Sequence, residues 1–387
     1  MWSVLRWPIG LALVSAGLLV STAEGASARP NFLVIVVDTL RADALGAYGQ
    51  KLPTTPNLDA LAKKSVVFDR AWTQYTWTLP SYVTYMSSRF ARTHGGDFAM
   101  GKLSTYEVLD DRAPMLAQVL RENGYATAGH YANEHIRADL GMSRGFSTWV
   151  KGADVGVTRA AIADIGRWKD DGKPNFLYAH FMAPHEPLVP SADSLKVMGS
   201  TLTVDPSKGV AYDRYVKAPE AEKAAIREEL RLAYLACVRD ADANIGRILA
   251  TLEASGEAQN TVVVFFSDHG ELLGEHDAWG HTSHVWEELT HVPLMVSVPG
   301  VAPRRVTDRV GRLVDIAPMV TRLASVKAPA QWQGQDLLGP GPAAIGVSER
   351  DARVVFSTDA RTKITEDREK GTFFQAVDLG SDPDELR

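Results

Sequence analysis

The stretch Thr261–His281, TVVVFFSDHGELLGEHDAWGH, constrains this chain more than any other. Val262–Phe266 is a run of β-branched and aromatic residues, the pattern of a strand buried on both faces. The run stops at Ser267, and Asp268, His269 and Gly270 follow at once. In an open α/β sheet, ligands bind at the carboxyl ends of the strands, so a carboxylate and an imidazole there stand where a metal would be held. A lone Asp-His pair reads instead as a turn whose Asp caps the next helix. This pair is not alone. Asn31–Val37 (NFLVIVV) runs straight into Asp38, and Phe176–Met182 (FLYAHFM) leads into Ala183-Pro-His185-Glu-Pro187. Independent turns seldom place ligand-type residues at the ends of three buried strands, and the coincidence reverses the capping reading in favour of a site.

The rest of the chain reads in order around those strands. Leu58–Lys64 is an amphipathic helix with Thr55 or Asn57 as its cap, and Val66–Phe68 is a short strand. Pro80 favours a first helical turn, so Ser81–Ser88 continues as a helix and Thr78 sits at or just outside its N-terminus. Thr78 is either only the cap or a hydroxyl placed where the helix dipole and free N–H groups stabilise an anion. Helices are expected at Ala113–Asn123, Arg159–Asp170, Glu220–Ala254 and Leu313–Ala324, with strands at Tyr125–His130 and Pro293–Val298. Asn133-Glu-His135 falls in a loop. Ser191–Pro219, rich in turn residues, reads as an insertion over the rim of the sheet. Gly334–Gly346 reads as a linker, followed by short antiparallel strands at Val354–Thr358 and Phe373–Leu379. The expected organisation is a main α/β domain over residues 30–333 and a small α+β subdomain over 345–387.

Residues 1–28 stand apart. Met1–Arg6 is basic, Ile9–Val20 is apolar, and small residues follow through Ala28, the pattern of a cleaved secretory signal peptide. An exported protein, periplasmic or secreted, is therefore expected, with no membrane span after cleavage. No Cys follows the apolar run to carry a lipid. The single cysteine, Cys237, excludes an internal disulfide and reads as a small buried hydrophobe in a helix. A formal net charge of −6 without a long basic run excludes an electrostatic footprint for nucleic acid. The sequence carries no signal of oligomeric state.

Asp38, Asp268 and His269 offer oxygen and nitrogen ligands and no thiolate, a set that suits one divalent ion and leaves Ca, Mg, Mn and Zn open. With Thr78 as a hydroxyl in contact with that ion, the set can activate a nucleophile against an anionic ester. His185 and His281 would donate to the leaving group or hold non-bridging oxygens. Trp279-Gly280, just before His281, would let the backbone pass close to the site.

Five stretches in order, VVDTLRADALGAYG (36–49), TTPNLDALAKKSVVFDRAW (54–72), FMAPHEP (181–187), VVVFFSDHGELLGEHDAWGH (262–281) and VDLGSDPDE (377–385), resemble the sulfatase family of the alkaline phosphatase superfamily. The resemblance implies a doubly wound mixed sheet, a metal at the strand ends and a small C-terminal subdomain. By its motifs Asp38, Asp268 and His269 match metal ligands, Thr78 the nucleophile, and His185 and His281 substrate-site histidines. There are departures. Sulfatases carry Cys or Ser at the nucleophile, followed by x-Pro-x-Arg, and convert it to formylglycine, whereas here the place reads Thr78-Leu-Pro80-Ser-Tyr82. No formylglycine is expected from Thr. Many members also have a second Asp where this chain has Thr39. Thr as nucleophile is similar instead to phosphoryl-transferring relatives such as lipoteichoic-acid synthases and phosphoethanolamine transferases, which are membrane-embedded. The implied activity is hydrolysis of a small anionic ester or a glycan or lipid headgroup, with phosphodiester, phosphonate or phosphate ester favoured. A sulfuric ester hydrolase without formylglycine, a phosphoryl transferase and a non-catalytic metal-containing binding protein are the alternatives.

Overall fold

The computed structural model describes residues 29–94, 114–170, 172–281, 284–339, 346–350, 353–357, 361–367, 371–382 and 385. The expected signal segment 1–28 lies outside them, as do Ala113 and the core of the expected linker, 340–345.

The strands follow in chain order as β1 (Asn31–Val37), β2 (Val66–Phe68), β3 (Ala71–Trp72), β4 (Ala126–Tyr131), β5 (Thr148–Lys151) and β6 (Asn175–Phe181). After them come β7 (Thr261–Ser267), β8 (Leu272–Leu273), β9 (Trp279–Gly280), β10 (Leu294–Ser297), β11 (Arg304–Val306) and β12 (Gly311–Arg312). Eight of these form one sheet in the order β11-β2-β10-β7-β1-β6-β4-β5. Only β10 runs antiparallel to its neighbours β7 and β2, so the sheet is mixed but nearly parallel. The three apolar runs that end in ligand-type residues are its centre: β1 lies between β6 and β7, parallel to both.

All seven residues of each central strand are buried. The period of two explains how. Phe32, Val34 and Val36 of β1 enter one core, and Leu33, Ile35 and Val37 enter the other. The first core is covered by α2 (Thr78–Ser87) and α9 (Ile316–Leu323), with α3 (Leu116–Glu122) beside them. The second is covered by α1 (Pro56–Ala62), α4 (Asp154–Ile165), α5 (Ala192–Val197) and the 36-residue α7 (Glu220–Ser255). Helices on both faces of a largely parallel sheet make the doubly wound α/β architecture that the motifs implied. Cys237 lies on α7, buried as expected, and burial pushes its thiol pKa well up, which keeps it an unreactive core residue.

Several boundaries differ from the sequence reading, among them the starts of α1 at Pro56, α2 at Thr78 and α3 at Leu116. The helix expected at Arg159–Asp170 runs over Asp154–Ile165, so it both begins and ends earlier, and the Asp154 carboxylate in its first turn accepts the backbone N–H groups of Met182 and Ala183. The expected insertion 191–219 is not structureless: it holds α5 and the single turn α6 (Asp213–Val216). The C-terminal region carries four strands in order, β13 (Gly346–Arg350), β14 (Arg353–Ser357), β15 (Thr362–Asp367) and β16 (Thr372–Asp378), where two were read. The extra strands, GVSER and TKITED, are mostly polar and lack the apolar run that marks a buried strand.

Candidate functional site

Each central strand delivers its polar residue to the same rim. Asp38 follows β1 and donates its N–H to Phe181 O at 3.0 Å, which continues the ladder one step past the strand. The next residue, Thr39, takes φ +54°, an uncommon conformation for a β-branched residue, and this bend turns the chain sharply after Asp38. The Thr39 N–H points at Asp268 Oδ1 (3.3 Å), and the His269 N–H donates to the same oxygen at 2.9 Å. Asp268 Oδ1 is thereby held by backbone, while Oδ2 is buried with no hydrogen-bond partner. Asp38 Oδ1 is buried and unpartnered in the same way. After His269 the chain passes hard against α8 (Glu287–Thr290): a Cβ on Gly270 would lie 1.9 Å from Glu288 O, so glycine is obligatory there.

His269 Nδ1 lies 3.0 Å from Gly270 O, and a carbonyl can only accept, so Nδ1 carries the proton. Nε2 then presents its lone pair 3.7 Å from Asp268 Oδ2 and 3.8 Å from Asp38 Oδ1. Burial, reinforced by His281, lowers the His269 pKa and keeps the ring neutral. One ligand atom from each of Asp38, Asp268 and His269 lies within 4.8 Å of the others. Two orphaned carboxylate oxygens and an imidazole lone pair converging in a fully buried space are costly without a cation and well suited to one. The residues present therefore fit a divalent ion.

Thr78 is the first residue of α2, with Trp77 as the extended cap residue. It is thus inside the helix and is not its cap. Its Oγ1 lies 3.5 Å from Asp38 Oδ2 and 3.3 Å from His269 Nε2, buried to 1% exposure. Ser81, one turn on, donates to Asp268 O at 2.8 Å and locks the helix start to the strand end. Tyr82 faces away: it is fully buried and donates to Met142 O at 2.6 Å within an aromatic cluster with Tyr85, Trp149 and Tyr178.

The histidines close the other side. The His281 ring centroid is 4.5 Å from that of His269 and 5.1 Å from that of His185, so all six residues singled out in the sequence meet. Glu271, fully buried, accepts from His281 Nδ1 at 2.9 Å and leaves Nε2 as the free nitrogen. Burial opposes the charged ring, but Glu271, with Asp38 and Asp268, outweighs it and raises the His281 pKa. Gly280 is needed for its φ of +83° and not for a close approach, since a Cβ there would meet nothing nearer than 3.9 Å. The insertion reaches this side through Tyr212, whose N–H donates to Glu186 Oε1 (2.7 Å) and whose hydroxyl lies 3.4 Å from Glu271 Oε2.

Two residues at the rim carry no flag in the sequence reading. His180, on β6, is fully buried with Nε2 3.8 Å from Asp38 Oδ2 and 3.9 Å from Asp268 Oδ2. The signal was a polar ring inside an otherwise apolar strand run. Asn133, beyond β4, donates Nδ2 to Asp38 Oδ2 at 2.5 Å and approaches Thr78 Oγ1 at 3.3 Å. It stands after a central-sheet strand, as Asp38 and Asp268 do.

The sulfatase family model matches residues 30–326. The chain belongs to the sulfatase family. It is 29% identical over 359 residues to iduronate 2-sulfatase of Mus musculus, an alignment covering 73% of this chain and 62% of the length of that relative. A solved structure in complex with D-glucosamine-2-N,6-O-disulfate superposes with a TM-score of 0.73 at 22% identity, covering 93% of each chain. The phosphonate monoester hydrolase of Silicibacter pomeroyi superposes with a TM-score of 0.71 at 20% identity, covering 92% of this chain and 90% of that one. These superpositions establish the sulfatase-family fold. Among the described residues, no helix is long and apolar enough to cross a membrane.

Proposed function

We propose that this sulfatase-family protein is a metal-dependent hydrolase of an anionic ester, with Thr78 as its nucleophile. The observation that carries the reading is the position of Thr78 Oγ1, 3.5 Å from Asp38 Oδ2 and 3.3 Å from His269 Nε2, at the head of a ten-residue helix. Asp38 Oδ1, Asp268 Oδ2 and His269 Nε2 would hold the ion, and His180 lines the same space. When bound, a divalent ion supplies positive charge that favours the ionised form of a nearby hydroxyl and offsets charge on ester oxygens. Asp38 Oδ2 takes the Thr78 proton, the Thr78 Oγ bond to phosphorus or sulfur forms, and the ester oxygen leaves with a proton from His281. Water then attacks the phosphorus or sulfur and gives a proton to His281 as the bond to Thr78 Oγ breaks, and Asp38 returns its proton to Thr78, which restores the site. Glu271 orients His281 for this task, and Asp154 holds the backbone that carries His185 beside it.

Phosphodiester, phosphonate and phosphate esters remain the favoured substrates, because a sulfated threonine lacks the easy release that a formylglycine hydrate provides. The similarity to iduronate 2-sulfatase keeps a sulfate ester as the second reading, while the superposed phosphonate monoester hydrolase is in keeping with the first. Export and the division into a catalytic domain (30–333) and a small C-terminal subdomain (345–387) belong to the same proposal. The experiment is turnover by metal-reconstituted protein on matched aryl sulfate, phosphate monoester, phosphodiester and phosphonate. Diester or phosphonate cleavage that disappears in Thr78→Ala is the expected result. Cleavage of the sulfate alone would establish the second reading, and metal binding with no turnover of any ester would leave a binding protein.

A further inference from the structure

Asn133 is 1% exposed, and every polar atom of its side chain is directed. Its Oδ1 accepts from the His135 N–H at 2.7 Å, a partner that can only donate, so the amide orientation is settled. Nδ2 then faces Asp38 Oδ2 at 2.5 Å and Thr78 Oγ1 at 3.3 Å, one proton for each. His135 is itself set in place by an edge-on contact with Trp77, the residue before Thr78, at 5.6 Å between ring centroids. The loop after β4 and the start of α2 are thus built against each other, with the Asn133 amide as the part that touches the hydroxyl.

The charges that the described residues bring to this point are equally specific. Among the described residues no Lys or Arg forms a hydrogen bond or ion pair with Asp38, Thr78, Asn133, Asp268 or His269. The donor to Thr78 is a neutral amide. Thr39 adds a hydroxyl and no third carboxylate; its Oγ1 is buried and unpartnered. Two carboxylates and one divalent ion sum to zero, and the nearby His281 is paired with Glu271. The described residues of the site thus supply no surplus lysine or arginine charge to offset a second negative charge on the reacting group, and in a buried place that charge is expensive.

We infer that Asn133 fixes the Thr78 hydroxyl for attack and, as an uncharged donor, fits the site to an ester with one negative charge on its reacting group in preference to a doubly charged phosphate monoester. The inference rests on Thr78 as nucleophile. A diester, a phosphonate monoester and a sulfate ester all meet this requirement. In the attack Asn133 neither gains nor loses a proton. Its N–H occupies one lone pair of Oγ, directs the hydroxyl proton towards Asp38 Oδ2, and stays bonded to the oxygen as charge develops there.

The test compares wild type, Asn133→Ala, Asn133→Lys and Thr78→Ala, each loaded with the same metal and matched for metal content and melting temperature. Calorimetry measures binding of methyl phenyl phosphate, singly charged, and phenyl phosphate, doubly charged at pH 8; turnover is followed on the nitrophenyl analogues. Wild type should bind the singly charged ester more tightly. Asn133→Lys should shift the preference towards the doubly charged one by at least about tenfold. Asn133→Ala should lower kcat about thirtyfold or more with KM changed less than about threefold, the pattern of a contact that matters only as the reaction proceeds. Wild-type preference for phenyl phosphate, an unchanged preference in folded Asn133→Lys, or full kcat in Asn133→Ala would each overturn the inference. Turnover retained in Thr78→Ala would instead remove the reading on which it rests.

Discussion

Asp268 shows how backbone donors aim a ligand. With Oδ1 fixed by the N–H groups of Thr39 and His269, its unpartnered Oδ2 faces the same space as Asp38 Oδ1 and His269 Nε2. Asp268→Asn keeps the size and replaces the charge, so metal affinity should fall about a hundredfold or more while the apo protein still folds. A titration of melting temperature against metal checks this: the wild type should gain about 3 kcal/mol at a hundred times its Kd, and the variant should gain little at the same concentration. Asp38, Asp268 and His269 were legible because each follows a strand whose apolar run is unmistakable, so a polar residue at its end stands out. His180 was not, since a ring within a buried run reads as core until the facing carboxylates are placed. Asn133 was hidden for a different reason. Its strand, ATAGHY, lies next to the edge of the sheet and lacks the continuous apolar run of β1, β6 and β7, so the loop beyond it drew no weight.

At the scale of elements, the turn after β1 is braced by charge. Arg41, 7% exposed, donates to Asp43 Oδ1 and Oδ2 at 2.9 and 2.7 Å and to Glu275 Oε1 at 2.7 Å, and so ties that turn to the loop after β8. Burial works against the Glu275 carboxylate, but Arg41 outweighs it, and the net effect lowers the pKa from its ordinary 4.5. A carboxyl with a depressed folded-state pKa stabilises the protein above its unfolded pKa, and that contribution is lost as pH falls through the folded value. Glu275→Gln should therefore cost about 1–3 kcal/mol near neutral pH, a cost that shrinks as pH drops below about 4.5. Urea denaturation of both proteins at several pH values measures it; a cost independent of pH would show that the ion pair is not its source. Helix α2 was legible in outline from Pro80, but its true start at Thr78 was not. Only the Ser81 bond to Asp268 O and the packing of Trp77 on His135 place the hydroxyl on the first turn.

Across the whole molecule, the C-terminal sheet is joined to the main body by a buried ion cluster. Lys363 on β15 is 1% exposed, donates to Val285 O at 2.6 Å and Glu385 Oε2 at 2.8 Å, and lies 3.4 Å from Glu287 Oε1. Trp72, Val285, Val310, Val377 and Leu379 form the apolar part of the same contact. Lys363→Met would leave Glu385 without its cation and Glu287 with only Arg70 and His291, each 3.8 Å away, so it should destabilise the protein by about 3–5 kcal/mol in denaturant titrations, and a loss under 1 kcal/mol would contradict that account. Charge pairing of this kind spans residues far apart in the chain, which is why the central strands could be read from apolar runs and this junction could not. The most direct test of the proposed chemistry is the turnover of Thr78→Ala against wild type at equal metal content, on the ester that the wild type cleaves best. A loss of about a thousandfold or more, with metal and melting temperature retained, is the predicted result. Equal turnover in the two proteins would mean that Thr78 is not the nucleophile.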